Sequence, residues 1–357
     1  MKKFCLSLLL LMAASAMEVL AQSSLVATLN HNDTISVYYG IDALKSAYND
    51  SRNGDVITLS SGVFDAPSSI GQNLTIRGAG MEQDSINKVA PTILKGDIYF
   101  YPLNASNYTL DGLVVEGIYH NGTIYMGAEI YSQAHEYYVE NIQFVKCRLN
   151  FIRMGDDYRY DSYNTYYPYC NDASFVQCKI SGSVDLRGNA IFINCYVNTS
   201  SQSGSAKYEF VNSVVDNIPS GFSKRSVFNN SVLMGDLLSS ANMAYNCIGI
   251  YNVVYRDTTK NMFSYQIGNL NNVSFENYSE VFETYRGSYS DTETFKLADA
   301  IRTKHLGSDG NEVGMYGGSL PFNPQNSLPK IKKFNVASKS NAEGKLSVEI
   351  EVSAATE

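Results

Sequence analysis

Apolar residues recur along this chain in a short motif: an apolar residue, two free positions, a small or apolar residue, one free position, and a second apolar residue. It reads Leu59-x-x-Gly62-x-Phe64, Ile76-x-x-Ala79-x-Met81, Ile93-x-x-Gly96-x-Ile98 and Leu110-x-x-Leu113-x-Val115. After a weak copy near Ile130 comes Phe144-x-x-Cys147-x-Leu149. The fourth position steps through 62, 79, 96, 113, 130 and 147 at a constant 17. Cys178, Cys195, Ser213, Ser231 and Cys247 continue it at 17, 18, 18 and 16, and only the step from Cys147 to Cys178, 31 residues, is long. Such a period is too short for helical-hairpin repeats, which take about 33–47 residues. It fits one coil of a parallel β-solenoid, whose stacked coils bury a continuous core that no single coil can bury alone. Inward and outward residues alternate along each strand. Positions 79, 96, 113, 147, 178, 195, 213, 231 and 247 are therefore expected to form one buried line.

A second ladder runs beside the first. Asn194, Asn212, Asn230 and Asn246 each precede the Cys or Ser position. Asn tolerates left-handed backbone and bonds nearby amides, so stacked Asn side chains are expected to satisfy the turns. Cys147, Cys178, Cys195 and Cys247 occupy equivalent coil positions, with Cys170 outside the register. They are read as small interior residues. A disulfide framework is the alternative, and no Cys-x2-Cys metal spacing occurs. At the N-terminal end, Ile41, Leu44, Ala47 and Tyr48 have helical spacing and predict a short helix over 40–49 that covers the first coil. At the other end, Pro321 to Pro329 reads as a linker. Ile331–Ala337 and Lys345–Val352 read as two strands of a small β-hairpin.

Residues 1–21 are excluded from the fold. Lys2 and Lys3, an apolar run from Phe4 to Met12, and Val19-Leu20-Ala21 make a signal peptide cut after Ala21. This divides the chain into a signal peptide (1–21), a β-helix domain with its cap (22–325) and a C-terminal β appendage (326–357). No later apolar stretch reaches membrane length. Charged residues are only 17% while Tyr numbers 27, which suits an extracellular β-rich protein. The formal charge is −8, and −9 (25 basic, 34 acidic) once Lys2, Lys3 and Glu18 are removed. That balance argues against a nucleic-acid binder working by phosphate neutralisation.

Residues 42–80, DALKSAYNDSRNGDVITLSSGVF…LTIRGAG, resemble the N-terminal part of pectin-lyase-like right-handed parallel β-helix proteins. Residues 307–322, GSDGNEVGMYGGSLPF, resemble the end of secreted β-helix proteins of gut Bacteroidetes. The resemblance covers most of residues 34–325 and implies an all-β, right-handed parallel β-helix. The coils are shorter than is usual in that family. A left-handed helix is the alternative, although its hexapeptide pattern is not visible. Family members include lyases and hydrolases of acidic polysaccharides, adhesins and other surface proteins, so the fold alone does not set the activity.

Hydrolysis of a sugar bond needs carboxylates converging on it, one protonating the leaving oxygen and another activating water. Of the segments that the family's hydrolases carry, only Asp-Asp is matched, at Asp156-Asp157. Asn-x-Asp, Gly-His-Gly and Arg-x-Lys have no counterpart in the expected order. A lyase needs a base, often Arg or Lys, and Ca²⁺ or another cation on the uronate carboxylate. Asp185 and Arg187 lie two apart on a predicted strand and share a face; as an outward ion pair they are worth little. His31, His120, His135 and His305 show no metal spacing, and no structural metal or other cofactor is expected. Ca²⁺ enters only if the chain is a lyase.

The segment 153–170 falls in the one long step, with about 14 residues beyond the 17-residue period, enough for a protruding loop. It carries Tyr158, Arg159, Tyr160, Tyr163, Tyr166, Tyr167 and Tyr169. Tyr offers an apolar face and a polar tip at low entropy cost, and loops on rigid scaffolds commonly carry binding. The plainer reading is a loop folded back over the helix side. The sequence thus points to an exported β-helix protein that binds an extracellular glycan or surface partner without catalysis. A polysaccharide lyase or hydrolase and a structural or adhesive surface protein are the alternatives.

Overall fold

The computed structural model describes residues 25–85, 89–102, 109–127, 138–155, 159–161, 164–166, 169–186, 188–202, 207–218, 226–236, 238–251, 261–266, 270–325, 330–336, 343–345 and 348–353. Successive passes of the chain stack into two long sheets. The first has eleven strands, in the order Thr34–Tyr39, Val26–His31, Val56–Leu59, Thr75–Arg77, Val114–Glu116, Gln143–Val145, Ala173–Val176, Ala190–Ile193, Tyr208–Val211, Val227–Asn229 and Met243–Tyr245. The second has twelve, among them Ile98–Phe100, Tyr119–Met126, Arg148–Met154 and Lys179–Leu186. A short third sheet joins Thr109–Asp111, Tyr138–Glu140 and Tyr169–Asn171. From Val56–Leu59 onward the first sheet pairs only in parallel. Each pass therefore returns beside the one before, and the fold is an all-β parallel β-helix.

The register corrects the even period. Ile57, Ile76, Val115, Phe144, Phe175, Phe192, Phe210, Phe228 and Ala244 lie opposite one another from strand to strand. The residue three places on is Ile118, Cys147, Cys178, Cys195, Ser213, Ser231 and Cys247 in the last seven coils, so the buried line holds from Cys147 onward. It fails before that. Leu113 precedes its strand and lies level with Ile142 at another corner, Gly96 is exposed, and Ala79 is only half-buried. The coil from Arg77 to Glu116 spans 39 residues, and Val115 to Phe144 spans 29. The constant 17 over residues 62–147 therefore reflects apolar triplets that recur at different corners of long coils. Such a triplet specifies an inward face but not which corner it turns.

Inside, Phe144, Phe175, Phe192, Phe210 and Phe228 stack with ring centroids 4.7–5.1 Å apart and nearly parallel, close to the spacing of neighbouring strands. Two places after each comes a residue with positive φ: Lys146, Gln177, Asn194, Asn212 and Asn230, at 48–54°. The expected left-handed Asn corners are present. Next stands the Cys/Ser ladder, and it is a hydrogen-bonded one. Cys178 Sγ accepts the Cys147 amide at 3.5 Å, Cys195 Sγ the Cys178 amide at 3.3 Å, and Ser213 Oγ the Cys195 amide at 3.2 Å. Cys195 Sγ in turn donates to the carbonyls of Phe175 and Ile193, both at 3.2 Å. All five described cysteines, Cys170 included, are buried free thiols. Burial pushes the thiols of Cys147, Cys178 and Cys247 up, the last to about 12.

The ends are closed differently from each other. The helix Ala43–Asp50 buries Ala43, Leu44, Ala47 and Tyr48 as expected, whereas Ile41 points outward, 48% exposed. The antiparallel hairpin Val26–His31/Thr34–Tyr39, not anticipated from the sequence, extends the first sheet beyond that helix. At the other end, residues 278–322 fold over the outer face of the second sheet. They form a second apolar cluster in which Val281, Phe282, Tyr285, Phe295 and Met315 meet Tyr196, Val214, Val232 and Ile248. From Lys146 to Asn230 the corner side chains hold this strap, and only at the last corner do two of them bond each other, Asn271 Nδ2 donating to Asn246 Oδ1 at 3.2 Å. Asn230 Oδ1 accepts the Ser308 amide at 3.0 Å, and Asn194 Nδ2 donates to the Gly317 carbonyl at 2.7 Å. Gln177 Nε2 donates to the Pro321 carbonyl at 2.8 Å, and Lys146 Nζ to the Gln325 carbonyl at 3.0 Å. Pro321 to Gln325 is therefore part of the strap and not a linker. The appendage is the antiparallel hairpin Lys330–Val336/Val348–Ser353.

Two outcomes follow from this interior. Cys195→Ser keeps both hydrogen bonds and should cost less than about 1.5 kcal/mol, whereas Cys195→Ala leaves the Cys178 amide unpaired and should cost about 2–3 kcal/mol. Urea unfolding separates them, and equal losses would show that the ladder bonds carry no energy. His120 lies in register between Leu94 and Leu149, its Nε2 2.8 Å from the Gly96 carbonyl and its Nδ1 buried without a partner. Burial lowers its pKa to about 4. The unfolded chain binds this proton below about pH 6.5 and the folded chain does not, so stability should fall between about pH 6.5 and 4, by roughly 2–3 kcal/mol, and level off below. His120→Leu should flatten that part of the curve; an unchanged slope between about pH 7 and 4.5 would assign the loss to other groups.

Candidate functional site

Three consecutive coils have long connections at the same edge. The strand ends Phe100, Met126 and Met154 lie opposite one another. After them, 8, 11 and 14 residues precede Thr109, Tyr138 and Tyr169 of the third sheet. The long step expected over the segment 153–170 is one of three long connections at this edge. Within it Arg159–Asp161 pairs antiparallel with Asn164–Tyr166, so the Tyr-rich segment contains a hairpin, and Tyr169 begins a strand beside Tyr138. Asp156, Asp157, Tyr158, Tyr163, Tyr167, His135 and Arg187 lie outside the described residues. Arg159, Tyr160, Tyr166 and Tyr169 are placed by their backbone.

The strands Tyr119–Met126, Arg148–Met154 and Lys179–Leu186 carry bulges between His120 and Thr123, Leu149 and Ile152, and Ile180 and Val184. Glycines permit the bends: a Cβ on Gly122 would run into the Gly96 carbonyl, and one on Gly182 into that of Asn150. Asp97 Oδ1 accepts the Thr123 amide at 2.8 Å inside the first bulge. Beyond the bulges the triplets Ile98-Tyr99-Phe100, Ile124-Tyr125-Met126, Ile152-Arg153-Met154 and Val184-Asp185-Leu186 stack in register. Ile98, Ile124, Ile152 and Val184 are buried. The central residues Tyr99, Tyr125 and Arg153 are half-buried and make one row, which Asp185 and Ser201 follow in backbone register.

Tyr99 and Tyr125 are stacked with centroids 4.4 Å apart and 5° between their planes. The Arg153 guanidinium lies 5.9 Å from the Tyr125 centroid, a cation–π position. Asp185 stands opposite Arg153, and only the small Ser69 is in register with Tyr99 on the other side. The row therefore sets two half-buried phenols, a guanidinium and a carboxylate-bearing strand position beside the base of the Tyr hairpin. Such a set offers aromatic surface together with donors and acceptors for hydroxyl groups. Tyr99, Tyr125 and Arg153 were not singled out from the sequence. Their signal is the four apolar-polar-apolar triplets, which are legible once the coils are aligned.

A second polar cluster is buried under the strap. Lys179, 4% exposed, reaches Glu82 Oε1 at 2.7 Å and the Glu293 carbonyl at 3.2 Å. Asp216 Oδ2 accepts the hydroxyls of Tyr196 at 3.0 Å and Tyr285 at 2.8 Å, and burial raises the pKa of both phenols. Arg148 stacks 4.4 Å over the Tyr119 ring and pairs with Asp291, whose carboxyl it holds below the usual carboxylate range. These groups pair with one another, except that Arg148 Nε is buried without a partner, and Tyr196 lies 4.1 Å ring-to-ring against Phe295. The cluster fastens the strap.

Among the described residues no group of three or more His, Cys, Asp or Glu is placed to hold a metal ion, and no helix is long and apolar enough to cross a membrane. Comparison of the chain with protein-family models, curated proteins and solved structures finds no match.

Proposed function

We propose that this chain is an exported β-helix protein that binds an extracellular glycan, without catalysis, on the surface formed by the Tyr99–Tyr125–Arg153–Asp185 row and the Tyr hairpin beside it. The observation that carries this reading is the row of stacked phenols and a guanidinium held in register on adjoining strands. A rigid solenoid holds that row, as a scaffold holds a binding surface. Export rests on the three-part signal pattern of residues 1–21. The resemblance to secreted pectin-lyase-like proteins agrees with the solenoid and with a polysaccharide partner.

The register of Arg153 with Asp185 favours a second reading, a polysaccharide lyase or hydrolase with its base and acid on adjoining strands. Incubation with a panel of neutral and acidic polysaccharides separates the two. Binding without new unsaturated or reducing ends supports the first reading, and product formation lost in Arg153→Ala supports the second. In the binding assay Tyr166→Ala/Tyr167→Ala should weaken affinity by about 1–3 kcal/mol with the melting temperature almost unchanged. Tyr99→Ala/Tyr125→Ala should weaken it similarly and also lower stability, because the two rings are half-buried on each other. Lost stability with unchanged affinity in both double variants would end the binding reading.

A further inference from the structure

The eleven-stranded sheet ends on Thr34–Tyr39, and among the described residues that edge is open. Its hairpin closes through Asn32 and Asp33, both at positive φ, and its register runs without a shift from His31↔Thr34 to Val26↔Tyr39. On the inner side the Val26 carbonyl accepts the Ser60 amide at 2.9 Å, and the Val26 amide donates to Ser60 Oγ at 3.0 Å. Val26 thus faces the solenoid, so Ala27, Leu29 and His31 are the residues whose backbone groups face the outer strand. Antiparallel alternation then turns the amides and carbonyls of Ile35, Val37 and Tyr39 away from the molecule. The same three side chains are 65%, 46% and 69% exposed. Among the described residues none pairs with this edge.

Open edges are ordinarily guarded by Lys, Pro or a bulge, because an unguarded one recruits another strand. Residues 34–41, Thr-Ile-Ser-Val-Tyr-Tyr-Gly-Ile, contain no charge and no Pro. The far end of the same sheet is covered: the Ala244 amide donates to Gln266 Oε1 at 3.3 Å and the Asn246 amide to the Leu270 carbonyl at 2.9 Å. One end of the sheet is therefore prepared for a strand and the other is closed.

We propose that Thr34–Tyr39 is the seam of a homodimer, pairing antiparallel with the same strand of a second copy about a two-fold axis at Val37. In this register Val37 meets its own copy, and Ile35 lies opposite Tyr39 of the partner subunit. The outward backbone groups pair with one another and the apolar side chains stay on one face. A slip of one residue would set outward side chains against inward ones. A slip of two toward the turn would put Tyr39 beside an Asp33 carboxylate. The second copy fits better than a different partner because the edge is its own complement, and because two chains of net charge −8 can approach on an uncharged strip with little repulsion. The contact is isologous and consumes the same edge in both copies, so assembly through it stops at two. Six residues a side is a small interface, which places the dissociation constant in the micromolar range, on the order of 1–100 µM.

Sedimentation of the purified chain from about 1 to 500 µM, a range that brackets such an affinity, should show a dimer that dissociates on dilution. Val37→Lys should be monomeric throughout with an unchanged circular dichroism spectrum and melting temperature. Independently of that variant's folding, Val37→Cys should form a disulfide-linked dimer on mild oxidation, because facing residues of antiparallel strands have Cα atoms about 4.5–5.5 Å apart, within disulfide reach. Ile35→Cys should cross-link to Tyr39→Cys when the two are mixed, and not to itself. Leu320→Cys, 54% exposed on the strap, is the control, and the described native cysteines are buried. A chain monomeric at the highest concentration, or Val37→Cys cross-linking no faster than Leu320→Cys, overturns the proposal.

Discussion

The whole molecule depends on one constraint: every pass of the chain must bring its backbone amides back into register with those of the previous pass, about 4.8 Å away. The corner between the two long sheets enforces it. From Val114–Glu116 on, each coil turns there through a left-handed residue, Gly117 first and Asn271, ahead of Val273–Phe275, last, with φ between 48° and 65°. That conformation costs an ordinary residue roughly 1–2 kcal/mol, and Gly or Asn less. The amide that follows is turned into the interior, where no strand receives it, and the next coil's thiol or hydroxyl accepts it. Cys and Ser alternate freely in this ladder because both are small and both can accept one bond and donate another. The Phe stack then fills the volume beside it.

The corner has an outward consequence as well. Lys146 and Gln177 take the left-handed conformation without the local backbone bonding that favours Asn, and both spend their side chains on strap carbonyls. The strap is needed because the outer row of the second sheet becomes apolar toward the C-terminal end, through Val214, Val232 and Ile248. Left bare, that row would be a large hydrophobic patch. Further up, the row carries Tyr119, Arg148 and Lys179, and the strap meets Lys179 with the Phe322 ring and the Glu293 carbonyl and Arg148 with the Asp291 carboxylate.

Where the strap and the bulges end, the second sheet is free to present the Tyr99–Tyr125–Arg153 row, and the coils lengthen. Insertions are tolerated at this edge because the strands on either side are already fixed by parallel pairing, so a longer connection adds only the slowly growing cost of a longer loop. The third sheet forms only beside these three connections, which ties their re-entry points together and steadies the flank of the row.

Local pattern was enough for several features. The alternation around Phe144, Phe175, Phe192, Phe210 and Phe228 showed strands with one buried face, the Asn positions showed left-handed corners, and the spacing of Leu44, Ala47 and Tyr48 showed the capping helix. Each reports a short-range preference of a few neighbouring residues. The Tyr-rich segment was likewise legible as a departure from the repeat. What needed the tertiary structure was every choice between equivalent local patterns. Leu113 and Ile118 are both apolar, and only pairing with the next coil decides which of them stands in line with Cys147. Tyr99, Tyr125 and Arg153, up to 54 residues apart in sequence, become one surface only when bulged strands stack in register. The strap has no repeat of its own, because its residues are selected by the outer face they cover and not by their neighbours in the chain. Sequence periodicity records what a residue faces; the hydrogen-bond register between coils decides what it touches.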